Sequence, residues 1–133
     1  MNWNRFFKTS LLFLLISVSA YAQILTPTKW TWQISEKSIK VGDEINLIFK
    51  ATIDENWYIY ANEFDPDCGP MHTTVTFTPD ASFKVVGTLK AINSTAKHDE
   101  IFDCDVRIFK HTGEFRQKIK VLSTNLKLSG VYE

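Results

Sequence analysis

Cysteine is scarce in this chain of 133 residues, which carries only two. Two cysteines cannot supply a four-cysteine zinc site or the framework of a disulfide-dense mini-protein. Charge of one sign is missing as well: 15 basic and 15 acidic side chains balance at zero, which leaves no basic footprint for nucleic acid. Glycine and proline are few, at five and four, and no Gly-rich phosphate loop, internal repeat or low-complexity tract occurs. The GxSxG elbow and the HExxH helix are absent too, so two common hydrolase chemistries have no residues to carry them. No apolar run reaches the roughly 18–20 residues that span a bilayer. The length suits one domain of about 100–200 residues and sets aside a two-domain enzyme.

What the chain does have is aromatic bulk, with ten Phe, four Tyr and four Trp, enough for a dense core in a small domain. It also begins like an exported protein. Arg5 and Lys8 precede the apolar stretch Leu11 to Val18, and Ala20-Tyr21-Ala22 has the small-x-small form of a cleavage site. Residues 1–22 are thus expected to be a cleavable signal peptide, and residues 23–133 a single domain without stable membrane insertion. Loss of Arg5 and Lys8 leaves 13 basic against 15 acidic residues, a net charge of −2. The expected compartment, the periplasm, is one where disulfides persist.

The remainder reads as short strands joined by polar turns. Trp30, Trp32 and Ile34 alternate with Thr31, Gln33 and Ser35, and Ile45, Leu47, Phe49, Ala51 and Ile53 repeat the period of two more clearly. Trp57–Tyr60 follows, then a loop from Asn62 to Met71. Thr73–Thr78 and Ser82–Lys90 are β-rich, Ile92–Glu100 is polar and irregular, and Ile101–Phe109 with Glu114–Leu122 is expected to form a hairpin around Lys110–Gly113. A last strand starts near Leu126. Seven or eight short strands without a helical period predict an all-β fold, an immunoglobulin-like antiparallel β-sandwich.

Two loops stand out, Glu63–His72 and Lys97–Asp105, each with a cysteine in an acidic, aromatic-edged setting. One structural disulfide between Cys68 and Cys104 is the default in an exported protein, and closing a loop of about 35 residues contributes roughly 4 kcal/mol in the chain-entropy view. A redox-active pair is the sharper alternative, although Asp67, Asp103 and Asp105 would raise a thiol pKa. A metal site from Cys68, His72, His98 and Cys104 has Cys-x3-His spacing on one side only, and Asp65, Asp67, Asp103 and Asp105 lack the spacing of an EF-hand calcium loop. His72, His98 and His111 read as solvated loop histidines.

Three stretches occur in the order of a known family: Asp54-Glu55-Asn56-Trp57-Tyr58-Ile59-Tyr60, His98-Asp99-Glu100-Ile101-Phe102, and Leu128-Ser129-Gly130-Val131-Tyr132-Glu133. On these, the chain from about Trp30 to Glu133 resembles the N-terminal periplasmic domain of DsbD-type thiol:disulfide interchange proteins, the protein-disulfide reductases, in the form found in Bacteroidetes. The resemblance implies an electron-transfer domain that accepts reducing equivalents from a membrane-embedded reductase domain. It would pass them to exported thioredoxin-fold proteins, including those of cytochrome c biogenesis, with no metal and no organic cofactor. It also implies roles around the active site. Tyr58 and Tyr60 would flank the cysteine pair, Asp99 and Glu100 would form its acidic neighbours, and Ile101 or Phe102 the tip of a covering loop. As residue types alone, alternate aromatics at 58 and 60 are more often one face of a strand packing a core.

The family's catalytic cysteines sit on a hairpin just after the Gly-x-Tyr strand, and this sequence stops at Glu133. Cys68 and Cys104 do not align with that pair, so these 133 residues are expected to be redox-inactive by themselves and to leave Leu126–Glu133 an unpaired edge. The contrasting expectation is a secreted β-sandwich binding module with a structural disulfide and no redox role.

Overall fold

The computed structural model describes residues 25–133, so the expected signal segment lies outside the described residues. Nine strands follow in order: β1 (Thr28–Ile34), β2 (Glu44–Ile53), β3 (Ile59–Tyr60), β4 (Val75–Phe77), β5 (Phe83–Ile92), β6 (Thr95–Asp99), β7 (Cys104–Phe109), β8 (Thr112–Val121) and β9 (Gly130–Tyr132). A short 3-10 turn, Pro66–Cys68, separates β3 from β4.

The first sheet has the order β1-β2-β8-β5. Its two central strands show why it forms: Ile45, Leu47, Phe49, Ala51 and Ile53 of β2 are buried, as are Gly113, Phe115, Gln117, Ile119 and Val121 of β8, with exposed or half-exposed residues between them. A period of two places one face on the core and the other in water. Opposite lie a second sheet, β3-β7-β6, and a ribbon of β4 and β9, every pairing antiparallel. Ala61 and Phe109 near the second sheet and Phe77 of the ribbon pack into the same core as Phe115 and Leu47. Phe115 sits edge-on to Phe109 at 5.2 Å, and Phe77 contacts both Phe49 and Phe83. The fold is the expected immunoglobulin-like antiparallel β-sandwich.

Three details differ from the sequence reading. The first is the Ile101–Phe109 and Glu114–Leu122 hairpin, which does not form. β7 pairs with β6 and β3, whereas β8 pairs with β2 and β5, so the two-residue link Lys110–His111 carries the chain from one sheet to the other. Phe109 and Phe115 enter the core from opposite layers, and Gly113 lies close against Phe109, where a Cβ would come within 3.0 Å of its ring.

Second, the polar stretch Ile92–Glu100 contains a strand, β6. It lies at the edge of its sheet and buries only Asp99 fully, which hides it from a hydrophobic pattern. Third, β9 is not wholly unpaired. It forms the register Val75↔Tyr132 and Phe77↔Gly130, and Tyr132 packs on Trp30 with ring centres 4.9 Å apart.

Phe115 is completely buried between the layers. Phe115→Ala is expected to cost about 3–5 kcal/mol in chemical unfolding, whereas Ile101→Ala, at 84% exposure, should change stability by less than about 0.5 kcal/mol. Equal effects would mean that the core is not where the strand pattern puts it.

Candidate functional site

A second, smaller apolar cluster sits beside the main core, made of Cys68, Val106 and Ile108, with Tyr58, Tyr60, Phe64 and Cys104 packed against it. β7 supplies Val106 and Ile108 on the face away from solvent. β3 supplies Tyr60, and the loop after it brings Phe64 and Cys68 back over β7. Tyr58 and Tyr60 lie edge to face with ring centres 5.4 Å apart, and Phe64 is 6.2 Å from Tyr60.

Asp99 ends β6 beneath this cluster and is only 1% exposed. A buried carboxylate is costly unless each oxygen is answered. Here Oδ2 accepts from the Tyr60 hydroxyl at 2.8 Å, with Lys97 Nζ 3.9 Å away, and Oδ1 accepts from the backbone N–H groups of Ile101 at 3.0 Å and Phe102 at 3.3 Å. The Tyr60 bond, then those N–H groups and Lys97, hold the Asp99 carboxyl below the usual aspartate range. Conversely, burial, then the Tyr58 hydroxyl and Asp99, hold the Tyr60 phenol well above the usual tyrosine range, so it stays a donor. Lys97 also lies 4.8 Å from the centre of the Tyr58 ring.

Asp99 thereby fixes the start of the turn that leads to β7. Its far end is fixed covalently: Cys104 is bonded to Cys68, with Cα atoms 5.9 Å apart. Between these ties, Phe102 lies on Gly69, so close that a Cβ at 69 would overlap the Phe102 ring, and the φ of 102° at Gly69 is one that side chains other than glycine's rarely adopt. His98 joins the two limbs on the outside, with Nδ1 2.9 Å from Asp105 and Nε2 3.5 Å from Asp103. The hydrogen bond to Asp105 raises the His98 pKa, and both aspartates add to the effect.

The loop also borders a groove of about 520 Å³, lined by Tyr60, Gly69, Met71, His72, Thr74 and Glu133 among others. Thr73 Oγ1 donates to the Tyr60 carbonyl at 2.7 Å, and Thr74 exchanges backbone hydrogen bonds with Glu133. The end of the β9 strand is thus brought next to Tyr60.

The residues singled out from the sequence converge in part. Tyr58, Tyr60, Asp99, Phe102 and the Cys68–Cys104 bond form one connected group, while Glu100 and Ile101 stand exposed on the turn. The two sulfurs are bonded to each other, as the structural-disulfide expectation has it, and so neither is a free thiol in this structure. Among the described residues, no group of three or more His, Cys, Asp or Glu is placed to hold a metal ion. Phe64, Gly69 and Lys97 lie in the two loops that stand out in the sequence, but the sequence assigned them no role, and His72 is not a solvated loop residue: it packs edge-on against Phe64 at 4.2 Å with Nε2 buried and unpartnered. The Cys68-Gly69-Pro70 run was the available signal for a close approach at position 69.

The site is thus a Tyr-x-Tyr pair set on a buried aspartate, under a loop pinned by a disulfide, at one edge of an all-β sandwich. Residues 22–133 match the family model described as thiol:disulfide interchange protein DsbD, N-terminal, and the chain belongs to that family. Neither a curated protein nor a solved structure matches the chain.

The pKa directions have opposite consequences for the 99–104 turn. Asp99, held below its ordinary value, contributes above the ordinary aspartate pKa and is lost as pH falls through the depressed one. His98, held above its ordinary value, contributes below that value and is lost as pH rises through the raised one. Amide exchange at Ile101 and Phe102, corrected for intrinsic rates, should accelerate in acid below the ordinary aspartate range, and Asp99→Asn should show much of that acceleration at neutral pH. Unchanged protection in Asp99→Asn would remove the carboxylate as the anchor.

Proposed function

We propose that this domain exchanges electrons through thiols and disulfides in the periplasm, between a membrane-embedded reductase domain and exported thioredoxin-fold partners. The observation that carries this reading is the position of Glu133. It follows the Gly130-Val131-Tyr132 strand, after which the resemblance places the family's cysteine pair, and it lies in the groove beside Tyr60 and Gly69. A dithiol placed there would meet Tyr58, Tyr60 and the Asp99 turn together, with Phe102 as the group nearest to covering it.

The chemistry needs no cofactor. A thiolate of the pair attacks one sulfur of the partner's disulfide and forms a mixed disulfide as the other partner sulfur leaves as a thiolate. The second thiol of the pair then loses its proton and displaces the partner. Two electrons and two protons pass to the partner, and the pair ends as a disulfide awaiting re-reduction from the membrane side. Cys68 and Cys104 take no part in this scheme. They are bonded to each other, and Cys68 is buried.

Two measurements test the reading. Under denaturation the protein of residues 1–133 should show no free thiol; two free thiols would reject the Cys68–Cys104 bond in solution. The coding sequence read past Glu133 should supply a cysteine pair a few residues apart. With one of these changed to Ser, the longer protein should form a mixed disulfide with a thioredoxin-fold partner, visible on non-reducing electrophoresis. A missing pair, or a pair that traps no partner, would favour a secreted binding module with a structural disulfide.

A further inference from the structure

Seven of the 15 acidic residues fall within 62–72 and 98–105, two segments without a single Lys or Arg. The rest of the described chain carries eight acidic and 13 basic residues, so the balance of −2 over residues 25–133 conceals −7 in these two segments and +5 elsewhere, with Lys97, adjoining the second segment, set against the buried Asp99. Asp99 is buried, but Glu63, Asp65, Asp67, Glu100, Asp103 and Asp105 are all exposed. The Cys68–Cys104 bond holds their two segments together. Concentrating like charge opposes folding, and here a covalent tie offsets that repulsion.

Large apolar side chains are exposed within the same acidic frame. Met71 is 87% exposed, Ile101 84% and Phe102 44%, and Phe102 touches Gly69, which lines the groove with Met71. Apolar anchors surrounded by charge of one sign have the anatomy of a protein docking surface: the centre supplies contact area, and the rim supplies orientation and encounter rate.

We infer that the Met71–Ile101–Phe102 tips and their carboxylate rim form a docking face for a partner whose own apolar contact patch is rimmed by Lys and Arg. The inference rests on the thiol-exchange reading for the kind of partner and goes beyond it in specifying the charge of that partner's surface. The acidic rim draws in a basic-rimmed protein at long range and repels an acidic one, and the apolar tips then settle into contact. It therefore ranks partners of one fold by their surface charge.

The test uses a pair of probes, a thioredoxin with lysines introduced around its active-site patch and the same protein with glutamates at those positions. Each is titrated into the isotope-labelled protein and followed by NMR. The lysine probe should shift the amides of Met71, Ile101 and Phe102, and should weaken severalfold as ionic strength rises from about 0.01 to about 0.15 M, over which the screening length falls from about 30 to about 8 Å. Glu63→Lys with Asp67→Lys should weaken the lysine probe and strengthen the glutamate probe. The inference is overturned if both probes bind alike, if neither binds, or if the shifts centre on another face. Salt-independent association of a longer protein that still forms its mixed disulfide would refute the charge selection alone and leave the exchange reading standing.

Discussion

A carboxylate that is 1% exposed must be satisfied by the protein itself, and Asp99 shows how much of the local structure that requirement organises. One oxygen takes the Tyr60 hydroxyl, which links β6 to β3 across the intervening β7; the other takes two backbone N–H groups and so sets the path of the next turn. Lys97 approaches from the same strand and lies over Tyr58 as well, so charge, ring and hydroxyl neighbours belong to a single arrangement. Removing one partner would leave the rest facing an unanswered charge, which costs more than the bond lost.

The disulfide completes what Asp99 begins. A turn fixed only at its entrance would swing about that point; with Cys104 bonded to Cys68 its exit is fixed to the opposing loop. The space between the two ties is filled by Phe102 against Gly69, where the absence of a side chain is a steric requirement. Behind the bond lie Val106 and Ile108, so the two loops share a small core of their own and are more than appendages of the sandwich. Rigid placement of loop residues by a β scaffold is the usual way such folds carry function.

How much of this could be read from the sequence depends on what each residue faces. β2 was legible because its five apolar positions all face one core, and a period of two survives in the sequence when one side is dry. β6 was not, because an edge strand with one fully buried residue, itself an aspartate, leaves no such period. The connection from β7 to β8 misled for a different reason: a short polar link between two apolar strands looks the same whether they pair or cross between sheets, and only the Phe109–Phe115 contact across the core distinguishes them. In the site, the cysteine pairing and the Tyr-x-Tyr pair were visible as residue types. The burial of Asp99 was not, since an aspartate among other acidic residues reads as solvated surface until Tyr60 is placed above it.

The same acidic residues thus divide into two physical roles that composition cannot separate. Asp99 is enclosed and directional, holding the turn through short hydrogen bonds that bulk salt screens little. Its neighbours at 100, 103 and 105 are exposed, and their field extends into solvent, where salt weakens it. A domain that positions its loop by the first kind of charge can vary the second kind without disturbing that loop. Support of the turn and the field projected into solvent therefore rest on different carboxylates, although they lie within a few residues of one another.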